Sequence, residues 1–276
     1  MVAERSRSRN EAVAYHPTMR GRLWVGTSGF AYADWAPRFY PTGLRADQLL
    51  PAYAARLPAV ELNNTFYATP SAERVAAWGA AVPEDFRFSV KAQRGGSMFA
   101  LTREPEEPLA RLLAAYRGFG TRLGTVLFRV PAPLRRDGAA LERLLAAWPR
   151  DVPLTMEFQD ESWHVDEVYE RLRAVGAALC ITELPPPADS PEADPPIVRL
   201  TGSFLYLRLR REDYTPAELT AWADRLDPFV ADGRDVFVFF RHDPVGRGGE
   251  LALAFRALLD PGSRQRPTSP PGARPS

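Results

Sequence analysis

Between residues 21 and 260 the chain repeats one pattern eight times: a short apolar run of strand length followed, in most cases, by a helical stretch. The runs fall at 23–27, 60–66, 86–90, 125–130, 154–158, 177–182, 204–209 and 236–240. Strands that alternate with helices are joined by crossovers, and crossovers make neighbouring strands parallel. Eight such units within this length predict an α/β fold, a single (β/α)8 TIM-type barrel. Helices are expected at 45–57, from Ser71 onward, and at 108–118, 138–148, 165–175, 216–229 and 250–259. Ser71 suits an N-cap, Pro216 suits a first helical turn, and Leu141, Leu144, Leu145 and Trp148 form an apolar stripe. A glycine-bearing loop is expected after residue 91, and a Pro-rich loop at 185–196 replaces most of one helix. A doubly wound open sheet is the alternative architecture. It usually carries a phosphate loop after the first strand, and Gly26-Thr-Ser-Gly29 is too short for a dinucleotide fingerprint.

The barrel is flanked by two segments whose composition predicts disorder: a polar, Arg-rich stretch at 1–20 and a Pro/Arg-rich one at 261–276. Hydrophobic residues make up 45% of the chain, enough for one large core, and the formal net charge is +1. That balance supplies no bulk field towards nucleic acid or membrane. No apolar run reaches the length of a membrane span, and the first twenty residues lack the apolar core of a secretory signal. The expectation is a cytoplasmic protein. Cys180 is the one cysteine, so an internal disulfide and a zinc–cysteine cluster are both excluded. It sits in an apolar run and reads as a small buried hydrophobe rather than a nucleophile. His16, His164 and His242 are the only histidines, too few at the strand ends to predict a metal site, and no cofactor can be named.

Of the 35 basic residues, 34 are arginine and one is Lys91. Lys91 stands at the end of the third strand. A lysine can lose its proton near neutral pH where a guanidinium cannot. Barrel enzymes hold their chemistry at the C-terminal strand ends, and those ends are polar here. They carry Ser28, Glu61 with Asn63, Lys91, Arg129, Glu157, Tyr206 with Arg208 and Arg210, and Arg241-His242-Asp243. Glu61 and Asn63, two residues apart, are expected on one strand face. Two readings remain open. The charges form a buried ion network that closes the barrel, or they line a pocket for a small polar or anionic ligand. In the second, Glu157, Glu61 and Lys91 are the catalytic candidates, as acid/base groups or, for the lysine, as a Schiff-base former. Ser28, Asn63, Tyr67, Arg129, Tyr206, Arg208 and Asp243 would bind the ligand. Glu61 and Glu157 could also form a glycosidase-like carboxylate pair.

These segments together resemble a known family, the YecE-like proteins or domain of unknown function 72. The matching stretches are Gly26-Thr-Ser-Gly-Phe30 with Tyr32, Asp34 and Trp35, then Val60-Glu-Leu-Asn-Asn-Thr-Phe-Tyr67 with Pro70, and Phe86-Arg-Phe-Ser-Val-Lys91-Ala92. Leu123-Gly124, Glu157-Phe158, Ser162-Trp163, Tyr206-Leu-Arg208-Leu and 236–240 with Asp243 and Gly246 follow in order. The resemblance spans about residues 23–260. It implies a TIM-type barrel and names no reaction; the likeness of such barrels to xylose isomerase and endonuclease IV is an analogy of fold.

The chain departs from the family pattern at several points. Gln159-Asp160 stand where Arg-His is usual, Arg210-Arg211 where His-Gly is usual, and Arg129-Val-Pro-Ala132 where Gln-Leu-Pro-Pro is usual. No histidine follows the third strand, and Leu251 stands in place of an asparagine. If histidines carry the family's proton transfers, this member has changed substrate or lost activity. Three functions follow as expectations: an enzyme acting on a small polar, phosphorylated or sugar-like metabolite; a non-catalytic ligand- or partner-binding barrel; and, by fold analogy alone, nucleic-acid processing. The sequence leaves the oligomeric state open.

Overall fold

In the computed structural model, residues 19–186 and 194–259 are described. The terminal segments therefore fall almost wholly outside the described residues, as does the centre of the Pro-rich loop.

Eight strands form one sheet in the order β1-β8-β7-β6-β5-β4-β3-β2, every ladder parallel. They are β1 (Leu23–Thr27), β2 (Ala59–Leu62), β3 (Arg87–Lys91), β4 (Leu123–Val130), β5 (Leu154–Phe158), β6 (Ala178–Glu183), β7 (Phe204–Leu209) and β8 (Asp235–Phe240). The helices are α1 (Ala46–Ala54), α2 (Ala72–Ala80), α3 (Arg94–Thr102), α4 (Glu106–Tyr116), α5 (Gly138–Ala147), α6 (Asp166–Val175), α7 (Pro216–Ala231) and α8 (Arg247–Leu259). Among the described residues no helix stands between β6 and β7, where the Pro-rich loop was expected to replace one.

The period-two alternation of strands divides the apolar residues into two cores. Outward-facing Val25, Val60, Val90, Phe128, Met156, Ile181, Leu207 and Val238 pack with the helix stripes, including Leu141, Leu144 and Leu145. Inward-facing Trp24, Leu127, Cys180, Phe204, Tyr206, Phe237 and Phe239 fill the barrel. Polar residues cap this inner column above and below, because a barrel interior has room for packed side chains only. At the lower end the Trp24 indole donates to Asp235 Oδ2 at 3.0 Å, with the Arg87 guanidinium 4.7 Å from the Trp24 ring.

The seam between β1 and β2 closes differently from the other seven. A single bridge, Ser28 to Glu61, joins the two strands, with Gly29 N donating to Glu61 O at 2.8 Å. Below it, the buried Tyr53 hydroxyl of α1 reaches into the gap, accepting from Thr27 N at 2.8 Å and donating to Ala59 O at 2.9 Å. Gly26 permits this approach: a Cβ there would meet Ala59 O at 1.9 Å.

Two expectations need correction. The second strand was read as 60–66 but ends at Leu62, and Asn64–Phe66 form a 3-10 turn. The buried Thr65 hydroxyl lies 2.8 Å from Leu62 O and 2.7 Å from Lys91 O, which folds the chain over the end of β3. Asn63 adopts helical backbone angles, so it does not share a strand face with Glu61. The glycine-bearing loop after β3 is instead helix α3. The Gln93 side chain caps it by accepting from Gly96 N at 2.7 Å, a contact that offsets the poor helix propensity of Gly95 and Gly96.

The seam yields a prediction. Tyr53→Phe strands a buried N–H and a buried carbonyl, and unfolding in denaturant should show a loss of about 1–3 kcal/mol with an unchanged m-value.

Candidate functional site

The upper end of the barrel is organised around one guanidinium. Arg208, on β7, is 4% exposed and donates Nη1 to Glu157 Oε1 at 2.6 Å and Nη2 to Glu61 Oε1 at 2.9 Å. The strand register puts Arg208, Glu61 and Glu157 at the same end of three different strands. Burial alone would lower the arginine pKa, but the two carboxylates outweigh it and hold the guanidinium charged.

Glu61 is completely buried and fully used. Its Oε1 also accepts from Ser28 Oγ at 2.7 Å, and its Oε2 accepts from the Tyr206 hydroxyl at 2.7 Å. Ser89 Oγ lies 2.7 Å from that Tyr206 hydroxyl and extends the chain inward. Desolvation pushes the Glu61 pKa up, yet Arg208, Ser28 and Tyr206 together bring it down to about 2. Glu61 is therefore a fixed anion under the floor of the site. It has no open oxygen to serve as acid/base group or as half of a glycosidase pair. Ser28 and Tyr206, both fully buried, support it rather than face a ligand.

Glu157 is held on one side only. Its Oε1 takes Arg208 and, at 3.3 Å, the Thr182 hydroxyl, while Oε2 makes no hydrogen bond. Arg129 Nε stands 3.3 Å from that oxygen without hydrogen-bond alignment. Lys91 is 8% exposed, and its side-chain amine makes no hydrogen bond and no ion pair among the described residues. Its Nζ sits 4.3 Å from the centre of the Phe66 ring. Burial first, then the charge of Arg208, lowers its pKa to about 8, with Glu61 opposing.

These groups open onto a cavity of about 630 Å³. Its charged lining is Lys91, Arg129, Arg199, Arg208 and Arg210 against a single carboxylate, Glu157. Arg210 reaches Ser28 Oγ at 3.4 Å and is crowded by Arg208. His164 also lines the cavity, its Nε2 against Phe158 O at 3.2 Å and Nδ1 against the Tyr169 hydroxyl at 3.3 Å. Cys180 lines the floor, and burial followed by the Glu157 charge raises its thiol pKa well above normal, so it stays protonated. Among the described residues, no three His, Cys, Asp or Glu side chains gather as a metal site would require. Likewise, no described helix is long and apolar enough to cross a membrane.

The remaining candidates lie elsewhere. Asp243 was expected to bind ligand, but both its oxygens cap the start of α8: Oδ1 accepts from Val245 N and Arg247 N, and Oδ2 from Gly248 N at 2.6 Å. Tyr67 is 80% exposed on the rim and Asn63 is half-buried beside it. Sequence reasoning missed Thr182 and Arg199 as lining residues. Thr182 follows Cys180 by two on the same strand and could have been found; Arg199 lies beyond the Pro-rich loop, where no periodicity reports direction. His242 stacks on Tyr32 at 5.2 Å, and burial plus Arg210 and Arg241 lower its pKa.

Comparison with known proteins agrees with this architecture. A family model described as "Protein of unknown function DUF72" matches residues 24–274. The UPF0759 protein YunF of Bacillus subtilis is 24% identical over 271 residues, covering 86% of this chain and 95% of the relative. A DUF72 family protein from Thermotoga maritima superposes with a TM-score of 0.72 at 25% identity, covering 86% of this chain and 99% of its own. A DUF72 structure from Enterococcus faecalis gives 0.68 at 22% identity, with 89% and 99% covered.

Two variants test the electrostatics. Glu61 is more acidic in the folded state than its ordinary value of 4.5, so its contribution is complete above that pH and fades as pH falls towards about 2. Glu61→Gln should lower stability at pH 7 and flatten the acid limb of the stability–pH curve. Lys91 behaves oppositely: its folded pKa of about 8 lies below the ordinary 10.5, so holding its charge at pH 7 is a cost that is relieved as pH rises through that window. Lys91→Met should raise the denaturant midpoint at pH 7, with an unfolding free energy about 1–3 kcal/mol above wild type at an unchanged m-value. Because the family model matches residues 24–274, the chain belongs to the DUF72 family, and its eight parallel strands form a TIM-type barrel.

Proposed function

We propose that the barrel mouth binds a small anionic metabolite, carrying a phosphate or carboxylate, and that Lys91 and Glu157 are the groups that act on it. The observation that carries the reading is the charge of the cavity: five cationic side chains line it against one carboxylate. Arg208 is neutralised from within by Glu61 and Glu157, whereas Lys91 and Arg210 have no carboxylate partner within ion-pair distance among the described residues. Cations crowded in a concave, low-dielectric space repel one another, and an anion relieves that repulsion. Arg210 and Arg129 would supply planar donors to its oxygens. Glu157, whose Oε2 accepts no hydrogen bond, would exchange a proton with the bound molecule.

The concave setting favours a small molecule over nucleic acid, which needs cations spread along a surface. A non-catalytic binding barrel shares the same pocket and differs only in producing no turnover.

Thermal unfolding of the wild type should be measured with inorganic phosphate, glycerol 3-phosphate and pyruvate at low salt. A ligand at ~100 times its dissociation constant adds about 2.7 kcal/mol, roughly 5–10 °C for a domain of this size. The shift should shrink in Arg210→Ala and Lys91→Met and weaken with added salt. Equal shifts in wild type and both variants, or no shift with any anion, would overturn the reading.

A further inference from the structure

We propose that Lys91 is an imine-forming nucleophile, so that the anionic ligand of this pocket carries an aldehyde or ketone group; this rests on the anion-binding reading above. Three observations on the molecule converge on it. First, Lys91 is buried at the cavity wall, yet none of its protons is committed to a hydrogen bond or ion pair among the described residues. Both nearby carboxylates are turned to Arg208. The Phe66 ring lies 4.3 Å from the nitrogen and takes none of its protons as a hydrogen-bond acceptor would. A nucleophilic nitrogen needs that freedom.

Second, every other side-chain cation of the chain is a guanidinium, and a guanidinium cannot form an imine. The one amine stands inside the cavity. Third, Glu157 belongs to the wall of the same cavity, and its Oε2 accepts no hydrogen bond, with only the Arg129 Nε ion pair at 3.3 Å beside it, so it is the carboxylate oxygen that would move a proton. Geometry and chemistry are supported by ionisation: with its pKa near 8, about a tenth of Lys91 is unprotonated at pH 7, far more than an ordinary lysine offers.

The step balances without any further reagent. Lys91 first sheds one proton to solvent; the neutral amine then attacks the carbonyl carbon, a C–N bond forms, and the carbonyl oxygen takes one proton back from solvent to give a carbinolamine still protonated on nitrogen. Glu157 accepts the proton that leaves nitrogen and returns it to the departing hydroxyl. The C–O bond breaks, water is released, and a C=N bond with a positive nitrogen remains. Nothing is oxidised or reduced. Arg210 and Arg129 hold the anionic end of the molecule meanwhile. Hydrolysis reverses the sequence.

Because the chain has a single lysine, the test reads one site. Wild-type protein is incubated with glycolaldehyde phosphate, with pyruvate, or with uncharged propanal, each with cyanoborohydride, and the adduct is located by intact mass and peptide mapping. The expected result is one reduced adduct on the Lys91 peptide with at least one of the two anions. Its rate should rise with pH through about 8. At equal concentration propanal should label about tenfold more slowly, the worth of ~1.4 kcal/mol of anion binding. Lys91→Arg and Lys91→Met should give no internal adduct, and Arg210→Ala should slow the anionic probes but not propanal. The two anionic arms tell a phosphate-bearing from a carboxylate-bearing ligand. Thermal shifts run on the same anions separate the two readings. Binding without a Lys91 adduct overturns the imine and leaves the pocket intact; neither binding nor adduct overturns both. Labelling confined to the N-terminal amine, or as fast with propanal as with the anions, also overturns the imine.

Discussion

Arg208 is placed where a guanidinium is expensive, inside the barrel with water excluded from nearly all of it. Two carboxylates on different strands make that placement tolerable, and the demand for them fixes much of the surrounding structure. Glu61 answers from β2 and Glu157 from β5, so β7 is tied to a strand beyond its neighbour β6 and to one at the end of the sheet order. Glu61 carries a second duty. Its backbone carbonyl accepts from Gly29 and its carboxylate accepts from Ser28, so it ties the weakest seam of the barrel while it neutralises the arginine. Closure of the sheet and the floor of the cavity thus depend on the same residue.

This arrangement determines which groups remain free for chemistry. A buried carboxylate with both oxygens hydrogen-bonded and a strongly lowered pKa cannot exchange protons near neutral pH, which leaves Glu61 as a fixed charge. Glu157, hydrogen-bonded through one oxygen, keeps a fixed orientation and a second oxygen that accepts no hydrogen bond beside Arg129. Arg208 accepts the attention of both, and Lys91 is left without a counter-ion in a half-dry space. The ion network and the cavity are two layers of one structure: the network below, the cavity above.

The fold was legible because it rests on periodicity. Apolar runs of strand length at regular intervals recur as β5 and β7 at the bounds read from sequence, and the polar residues at their ends do gather at one mouth. The failures share a cause, which is that periodicity reports a face and not a depth. Ser28, Tyr206 and Glu61 all point inward, but they lie beneath the accessible layer, and only the register between strands shows this. Asp243 is polar, terminal and adjacent to the mouth, yet backbone N–H groups of the next helix claim its oxygens. The early end of β2 follows from one Thr65 hydroxyl shared between two carbonyls, a contact with residue 91 that no local pattern announces.

The presence of lysine at position 91 in a chain of arginines has a partial electrostatic explanation. The side chain stands near Arg208 and Arg129, and both lower its pKa. A guanidinium there would be permanently charged and would add its repulsion to theirs, whereas an amine can shed its proton. Charge crowding therefore disfavours arginine at this place. It does not favour an amine over an apolar side chain: methionine would fill similar volume, bury its stem as well, and carry no desolvation cost at all. Nor does a purely structural role account for an amine on a cavity wall with no protein partner for its protons. An ionisable group held in an unfavourable state, with its protons uncommitted, is the arrangement that selection for stability alone would remove and that the proposed imine chemistry would use.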